Sequence, residues 1–284
     1  MHIIVIRWTY TDDKHIHRLE GRGLNSFWLI DGSKLKKYAV LVIAAFFTAG
    51  VIYVERDAMS TFYAQTDFLM SADDQPYAIE QVETKQKKVA LTFDISWGHE
   101  QPEKVLDVLA KNNVNKATFF LSAPWAEHHP EIVQQIKEKG FEIGSHGHKH
   151  VNYTRLTDEE IRDQIQKAHR ILRAVTGLSP TLLRPPNGDF DQRVLRIADQ
   201  LDYTVVHWSI NSQDWTNPGT DKIVEHVLSA IGPGQIILMH ASDSAKQTPE
   251  ALDRIIKELR GQGYQFVTVT ELMTGAENGI KELK

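Results

Sequence analysis

The sequence contains no cysteine, which excludes disulfide bonds, a thiolate nucleophile and a cysteine-ligated zinc site. This absence leaves the compartment open, because an oxidising environment permits disulfides without requiring them. The chain also lacks a long basic cluster and has a formal net charge of -5, so nucleic acid is not expected as a partner. No segment repeats at a fixed period, which argues against a repeat architecture.

Charge is absent from one long stretch, the apolar run from Tyr38 to Val54. Its length is near the short end of the ~17–25 residues that span a bilayer. Lys34, Lys36 and Lys37 precede it, and the positive-inside rule places that side in the cytoplasm. The run predicts a transmembrane signal-anchor over residues 38–54, with the rest of the chain on the extracytoplasmic side of the cell membrane.

Two other interpretations of this run remain open. A buried core helix is one, although such a helix rarely lacks a polar face. A cleaved signal peptide is the other, but the bulky residues Val51, Ile52 and Tyr53 follow the small ones and no clear small-x-small site comes after them. The uncleaved single-pass anchor is therefore favoured.

The segments on either side of the anchor carry no periodicity that predicts structure. Residues 1–37 are expected to form a cytoplasmic N-terminal segment. Residues Glu20 to Gly23 could be encoded by a ribosome-binding sequence, and translation would then begin at Leu24. In that case the residues before Leu24 are not translated. Residues 55–86 are polar and mixed in composition, which is typical of a linker between a membrane and a domain.

After Lys87, apolar runs of strand length alternate with amphipathic helical patterns. This alternation predicts an α/β fold with a parallel sheet, and the strand count fits a distorted or incomplete (β/α) barrel over residues 87–278, followed by a C-terminal tail at 279–284. Polar residues that follow the strands of such a fold converge on one face. The predicted strands are Val89 to Phe93, Ala117 to Leu121, Phe141 to Gly144, Thr181 to Leu183, Thr204 to Ser209, Ile236 to Met239 and Phe266 to Val269.

Two of the predicted helices have clear end signals. Thr157 and Glu160 form a capping box at the start of the first, and Gly177 can end it. Thr248 is predicted as the N-cap of the second, with Pro249 at its first helical position.

Candidate site residues follow the first, third and fourth predicted strands. Asp94 ends the run VALTFD and is a candidate catalytic carboxylate or, alternatively, a cap for the next loop. His146 and His150 have the i, i+4 spacing that places two imidazoles on one side of a helical turn, which suits one metal ion; a solvated loop is the alternative. Arg184 can hold a carboxylate ionised or simply close the barrel, and its loop presents the amide of Asn187.

Further candidates follow the next two strands. Asp214 and Trp215 come after the fifth, and His240 ends the sixth. An aspartate beside a histidine can hold its tautomer and favour imidazolium, as a general acid requires. Together with the earlier residues, these side chains indicate a hydrolase site of the metal-assisted type.

With these motifs in order, the chain resembles the polysaccharide deacetylase family, whose domain is the NodB homology domain (carbohydrate esterase family 4). The match runs from about Val89 to Thr270 and includes TFD, the HxxxH pair, RPPNG, Asp-Trp and Leu-Met-His in family order. The segments TFDISWG, NSQDWTNPG and HASDSAKQT are similar to those of the sporulation-associated polysaccharide deacetylase B type of spore-forming bacilli.

The resemblance implies a membrane-anchored hydrolase that removes N-acetyl groups from amino sugars of peptidoglycan during spore formation. It implies a divalent metal ion, zinc, on His146 and His150, and a pocket wall at Trp215. The partners would be peptidoglycan or a related N-acetylated glycan, and the membrane through residues 38–54.

The family mechanism can be carried onto this chain residue by residue. Asp94 would be the base that takes a proton from a metal-bound water, oriented by Arg184. The metal and the Asn187 backbone N–H would stabilise the oxyanion. His240, tuned by Asp214, would protonate the leaving amine.

One position departs from the family pattern in a way that matters for the metal. The carboxylate that usually follows the base and serves as the third ligand is Ile95 here, and Asn211 replaces a common aspartate. Loss of such a ligand is expected to weaken metal binding by about 10–100-fold or more. Either the chain is a working deacetylase with a substitute ligand, Asp94 or His99, or it is a catalytically impaired glycan-binding or spore-assembly protein.

Overall fold

The computed structural model describes residues 75–276 and 279–283. The predicted cytoplasmic segment, the anchor at 38–54 and most of the linker lie outside these residues. In the described part of the chain, no helix combines the length and the apolar character needed to cross a bilayer.

Ten strands form a single sheet in the described residues. All of the neighbouring pairs are parallel except the pair of β1 and β10, which is antiparallel. The strands are β1 Ala78–Glu83, β2 Lys88–Ile95, β3 Thr118–Leu121, β4 Glu142–Ser145, β5 Leu182–Leu183, β6 Thr204–Val206, β7 Ile210–Asn211, β8 Ile236–His240, β9 Gln265–Val267 and β10 Gly279–Leu283.

The helices occupy the stretches between the strands, as the alternating pattern predicts. They are α1 Glu100–Lys111, α2 Ala123–His128, α3 Pro130–Glu138, α4 Asp158–Thr176, α5 Gln192–Asp199, α6 Thr220–Leu228, α7 Thr248–Gly261 and α8 Val269–Thr274.

The strand order is β10-β1-β6-β5-β4-β3-β2-β8-β7, with β9 paired to β2. Because the order is open at β10 and β7, the sheet is an incomplete, curled barrel, as predicted. Strands β2 to β6 and β8 are parallel, so their carboxyl ends meet at one edge and gather the residues that follow them.

Strand β2 lies centrally in this sheet and has two different faces. Val89, Leu91, Phe93 and Ile95 are fully buried in the largest apolar cluster, which the helices cover. The alternate residues face the inside of the curl, and Asp94, the next-to-last residue of β2, is one of them. The alternation therefore separates the packing residues of β2 from its polar ones.

The end signals of α4 are confirmed, and the N-cap of α7 is wrong. Thr157 and Glu160 make both hydrogen bonds of the capping box, and Gly177 ends α4 in the left-handed conformation at φ 71°. Thr248, by contrast, is the first residue of α7 and caps nothing. Its hydroxyl instead donates to the buried carboxylate of Asp214, Oγ1 to Oδ2 at 2.6 Å.

The sheet extends beyond the predicted strands at both ends of the domain. Residues 78–83, within the predicted linker, form β1 between β6 and β10, and residues 279–283, within the predicted tail, form β10. The sequence of β1, AIEQVE, hides its strand character because the buried Ala78, Ile79 and Val82 do not alternate regularly with its polar side chains. A third additional strand, β7, is only two residues long.

Candidate active site

The carboxyl ends of the strands surround a cavity of about 470 Å³. Six of the predicted site residues line it: Asp94, His146, His150, Asn187, Trp215 and His240. The two others, Arg184 and Asp214, are fully buried behind the wall. The structure thus brings all eight predicted side chains to one place, although they are spread over most of the domain sequence.

Asp94 is held by a buried arginine. Arg184 Nη1 donates to Asp94 Oδ1 at 2.9 Å, and the carboxylate is only 5% exposed. Burial alone would raise the pKa of Asp94, but the positive charge of Arg184 and the nearby imidazoles of His146 and His240 outweigh it and hold the pKa below its usual value. Asp94 is therefore an anion at neutral pH.

The guanidinium of Arg184 is fixed on every side. It donates to Thr92 Oγ1 at 2.8 Å and to the main-chain carbonyls of Val206 and His207, and it lies 4.2 Å from the centre of the Phe120 ring. Such a cradle leaves the arginine one orientation, so the carboxylate that it binds is oriented as well.

His240 is paired with a buried carboxylate on the other side of the cavity. Its Nδ1 donates to Asp214 Oδ1 at 2.8 Å, and its main-chain N–H donates to Oδ2 at 2.7 Å. Burial lowers the pKa of His240, but the hydrogen bond and charge of Asp214, with the charge of Asp94, outweigh it and hold the pKa above its ordinary value. Because Nδ1 carries the bonded proton, Nε2 is the nitrogen available to the cavity.

The two imidazoles of the HxxxH motif lie side by side, but not on a helical turn. Residues 146–150 form an irregular loop in which Gly147 has φ 76°, and the ring centres of His146 and His150 are 5.6 Å apart. The expectation of a helical turn was therefore wrong. A glycine in the left-handed region turns the chain back within one residue, which a helix cannot do.

His146 is set up as a neutral acceptor. Its Nδ1 donates to the main-chain carbonyl of Arg184 at 2.8 Å, so its lone pair is on Nε2. Burial lowers its pKa to about 4, an effect that the charge of Asp94 only partly offsets. Nε2 lies 3.8 Å from Asp94 Oδ2, and two acceptors therefore face each other.

The donor set is incomplete for a metal ion of the expected kind. In residues 75–276 and 279–283 no group of three or more histidine, cysteine, aspartate or glutamate side chains is placed to hold one. Ile95 is fully buried among apolar side chains and offers no donor atom. His99, a possible substitute, stacks with His129 and does not line the cavity. Asp94, the other possible substitute, is bound by Arg184 through Oδ1 and forms no such group with the two imidazoles, so these residues do not fit a tightly held zinc ion.

The remaining predicted residues lie at the rim. Asn187 adopts the left-handed conformation at φ 61°, and its side chain donates to Asn152 Oδ1 at 2.7 Å. Gly188 follows it, and a Cβ at this glycine would lie 2.4 Å from the Trp208 ring. Trp215 is 55% exposed in a short helical turn.

Three residues of the site were missed by the sequence argument. Thr92 supports Arg184, Thr248 supports Asp214, and Trp97 lines the cavity. Thr92 could have been found because it shares a face of β2 with Asp94, two residues away. No local signal marks Thr248, whose partner is 34 residues away in the chain.

Comparison with known proteins finds relatives of this chain among deacetylases of glycans. The family model described as polysaccharide deacetylase matches residues 81–206. A peptidoglycan-N-acetylglucosamine deacetylase of Bacillus cereus is 37% identical over 65% of this chain and 68% of that protein. The peptidoglycan-N-acetylmuramic acid deacetylase PdaA of Bacillus subtilis is 33% identical over 70% of this chain and 76% of that protein. YlxY of Bacillus subtilis, an uncharacterized protein, is 35% identical over 70% of this chain, but over only 61% of its own length.

Solved structures give two different kinds of neighbour. The Bc1960 peptidoglycan N-acetylglucosamine deacetylase matches with a TM-score of 0.68 at 33% identity, over 74% of this chain and 99% of that one. BA3943 of Bacillus anthracis, described as a CE4 family pseudoenzyme, matches with a TM-score of 0.66 at 36% identity, over 70% of each chain. A mutant of BA3943 is described as having restored enzymatic activity.

Proposed function

Because the chain belongs to the polysaccharide deacetylase (CE4) family, we propose that it hydrolyses N-acetyl groups of amino sugars in peptidoglycan. The family is one of hydrolases, and it includes at least one pseudoenzyme. The chain therefore has to be judged from its own residues.

The observation that carries the proposal is that the surroundings shift the pKa values of two groups in one cavity in opposite directions. Asp94 and His240 are paired across β2 and β8 in the sheet. The surroundings lower the pKa of Asp94 and raise that of His240, so they favour the carboxylate form of the base and the protonated form of the acid. Paired groups whose pKa values are pushed apart are the pattern of an acid–base couple.

The chain's own residues can carry both proton transfers. Asp94 Oδ2, the oxygen not bonded to Arg184, takes a proton from water as the water oxygen attacks the acetyl carbonyl carbon. The backbone N–H of Asn187 is proposed to stabilise the oxygen that becomes negative. His240 Nε2 then gives its proton to the amine nitrogen as the C–N bond breaks, which yields acetate and a free amino sugar.

The cofactor is the part of the family mechanism that this chain does not reproduce. Deacetylases of this family generally depend on a divalent metal, and the resemblance implies zinc. A bound metal would lower the pKa of a water ligand and polarise a carbonyl. His146 and His150 are the positions at which the family pattern puts it. Since the donor set here does not fit a tightly held ion, no step is assigned to one.

The setting of the reaction is part of the proposal. The apolar run at residues 38–54 and the lysines before it support a single-pass anchor with the domain outside the cell membrane. The motifs shared with the sporulation-associated type, and relatives from Bacillus species, support a role in spore formation at the forespore or mother-cell membrane. Peptidoglycan is the glycan that such a domain would meet.

A second candidate function is glycan binding without turnover, in spore assembly. Ile95 and the missing third ligand favour it, and so does the structural similarity to BA3943, a protein described as a pseudoenzyme. Under this reading the cavity still holds an N-acetylated sugar, but Asp94 has no activated water to deprotonate.

An acetate-release assay separates the two candidates. The full chain, purified in detergent, is incubated with vegetative or spore peptidoglycan, and bound zinc is measured in parallel. We expect acetate release that Asp94→Asn reduces by about 10²–10⁴-fold, because loss of a general base has an effect of that size. Glycan retention in a pull-down should survive this substitution, since Asn keeps the shape of the side chain.

Two results would contradict the enzyme. If the unchanged chain retains peptidoglycan but releases no acetate above the Asp94→Asn level, the binding function stands instead. If it neither retains peptidoglycan nor releases acetate, both candidates fail.

A further inference from the structure

Two large apolar side chains are exposed beside the active-site cavity. Within the described residues, three large hydrophobic side chains are strongly exposed: Trp97 at 48%, Trp215 at 55% and Leu178 at 44%. Both tryptophans line the cavity, and Leu178 does not. Exposed aromatic surface at a concave site indicates a ligand that covers it.

Trp97 does not owe its exposure to a loose loop. Asp243 from the loop after β8 accepts the main-chain N–H groups of His99 and Gln101, at 3.2 and 2.9 Å. The main-chain N–H of Asp243 in turn donates to Trp97 O at 3.3 Å. The loop after β2 is therefore tied to the loop after β8 on both sides of Gly98.

Gly98 itself is a position that admits no side chain. It has φ 83°, and a Cβ there would lie 2.1 Å from the Asp243 carboxyl carbon. Its carbonyl accepts Trp125 Nε1 at 2.6 Å. These contacts fix the backbone directly after Trp97, so the side chain starts from a fixed Cα position beside the cavity.

One edge of Trp97 is covered from inside the site. Its ring lies 5.7 Å from the ring of His150, centre to centre, at an interplanar angle of 77°. The imidazole thus contacts Trp97 in an edge arrangement and leaves ring surface open to solvent.

The two tryptophans follow the strands on either side of β8, the strand that carries His240. Trp97 follows β2 and Trp215 follows β7, and β8, which ends in His240, lies between these strands. Neighbouring strands are about 4.8 Å apart, so the bases of the two loops are separated by about 10 Å. This is more than one sugar ring needs and suits two neighbouring rings of a chain.

We propose that Trp97 is a substrate-specificity residue that stacks on a sugar ring of an N-acetylated glycan chain, next to the ring whose acetyl group reaches Asp94. Trp215 walls the opposite side. The apolar C–H face of a pyranose packs on an aromatic ring, and indole offers the largest such surface among side chains. The inference rests on the proposed function, which supplies the glycan, and adds a requirement for more than one sugar.

Binding of oligosaccharides of different length tests this proposal. The full chain in detergent is titrated by calorimetry with N-acetylglucosamine and with its β-1,4-linked tetramer. We expect Trp97→Ala to weaken tetramer binding by about 5–10-fold and to change monomer binding by less than about twofold, because only the longer ligand reaches Trp97. Trp97→Phe should keep most of the tetramer affinity.

Leu178→Ala serves as the matched control, because it removes a comparably exposed apolar side chain that does not line the cavity. This variant should bind both sugars as the unchanged chain does. Thermal unfolding of each variant checks that it is folded; if Trp97→Ala does not fold, Trp97→Gln takes its place, because it also removes the aromatic ring and should show the same loss of tetramer affinity. Tetramer affinity that is independent of residue 97, while the unchanged chain binds the tetramer, overturns the role of Trp97 and leaves the proposed function intact. If the unchanged chain binds neither sugar, both the role of Trp97 and the proposed function are overturned. If it binds the tetramer through Trp97 but releases no acetate, only the proposed hydrolysis is overturned.

Discussion

The two halves of the cavity differ in how completely their polar atoms are paired. In the proton-transfer half, formed by Asp94, Arg184, Asp214 and His240, both carboxylates accept hydrogen bonds from fixed, buried donors. In the imidazole half, formed by His146 and His150 with Ile95 packed behind it in the core, the lone pair of His146 faces a carboxylate oxygen at 3.8 Å.

This difference separates two requirements that a metal hydrolase usually combines. The orientation and charge of the proposed acid and base depend on the hydrogen bonds from Arg184 to Asp94 and between His240 and Asp214, and both are present. Activation of water depends on a third ligand, and a branched apolar side chain stands at its position. Whether this chain turns substrate over is therefore decided in the imidazole half, whereas its stability should depend more on the proton-transfer half.

The largest effect on stability is expected for Arg184→Met. Removing one partner of a buried ion pair leaves an unpaired charge on Asp94, so the free energy of unfolding should fall by about 3–5 kcal/mol. Urea denaturation followed by circular dichroism measures it. Arg254→Met is the matched control, because Arg254 pairs with the exposed Asp221, and it should cost less than about 1 kcal/mol. Equal losses in the two variants would contradict the distinction between buried and exposed pairs.

Ile95→Asp tests the imidazole half directly. Ile95 is fully buried in the apolar cluster, so an aspartate there should lower the free energy of unfolding by about 3 kcal/mol when metal is chelated. If the new carboxylate completes a site with His146 and His150, added zinc should raise the unfolding temperature of this variant more than that of the unchanged chain.

Ile95→Asn is the control for that comparison, because it buries a polar side chain of the same shape that is a poorer zinc ligand. A zinc-dependent rise no larger in the aspartate variant than in the asparagine variant would show that position 95 does not reach the two imidazoles.

Thr248→Val tests the proton-transfer half of the cavity. The substitution keeps the shape of the side chain and removes its hydrogen bond to the buried Asp214, so it should cost about 1.5–3 kcal/mol. Thr220 is the matched position: it is also the first residue of a helix, but it donates to the exposed Glu250. Thr220→Val should leave the unfolding free energy within about 0.5 kcal/mol of the unchanged value; a similar loss at both positions would remove the special role of Asp214.

The smallest change is expected in a titration. Asp214 is what raises the pKa of His240 against the opposing effect of burial, so Asp214→Asn should lower that pKa. A general acid works below its pKa, and the alkaline limb of the acetate-release profile should therefore move to lower pH. Histidine titration followed by NMR measures the same change without relying on turnover. A His240 pKa that stays in place would mean that Asp214 does not tune it.

Much of the site could be predicted from the sequence, because in a parallel sheet the residue that follows each strand lies at the same edge. Apolar runs end in Asp94, His146, Arg184 and His240, and a parallel sheet brings the carboxyl ends of its strands to one edge. The period of the apolar residues thus predicted both the strands and the gathering of the polar residues that follow them. The capping box of α4 was predictable for the same reason, since its contacts are local.

Other features depend on contacts between distant parts of the chain. The hydroxyl of Thr248 looks like a helix cap in sequence, yet the nearby carboxylate of Asp214 takes it. The turn of the histidine loop at Gly147 and the pairing of β1 with β10 are likewise absent from any local pattern.

The sequence by itself determined the alternation of most of the strands and helices, the positions of the proposed acid and base and of the two imidazoles, and the loss of a carboxylate at Ile95. Only the tertiary structure decided which of these side chains are paired, that Trp97 stands open beside the cavity, and that Ile95 is packed in the core. The reason is physical: periodicity records which face of an element is buried, but hydrogen bonds and exposure depend on what the fold brings next to that face.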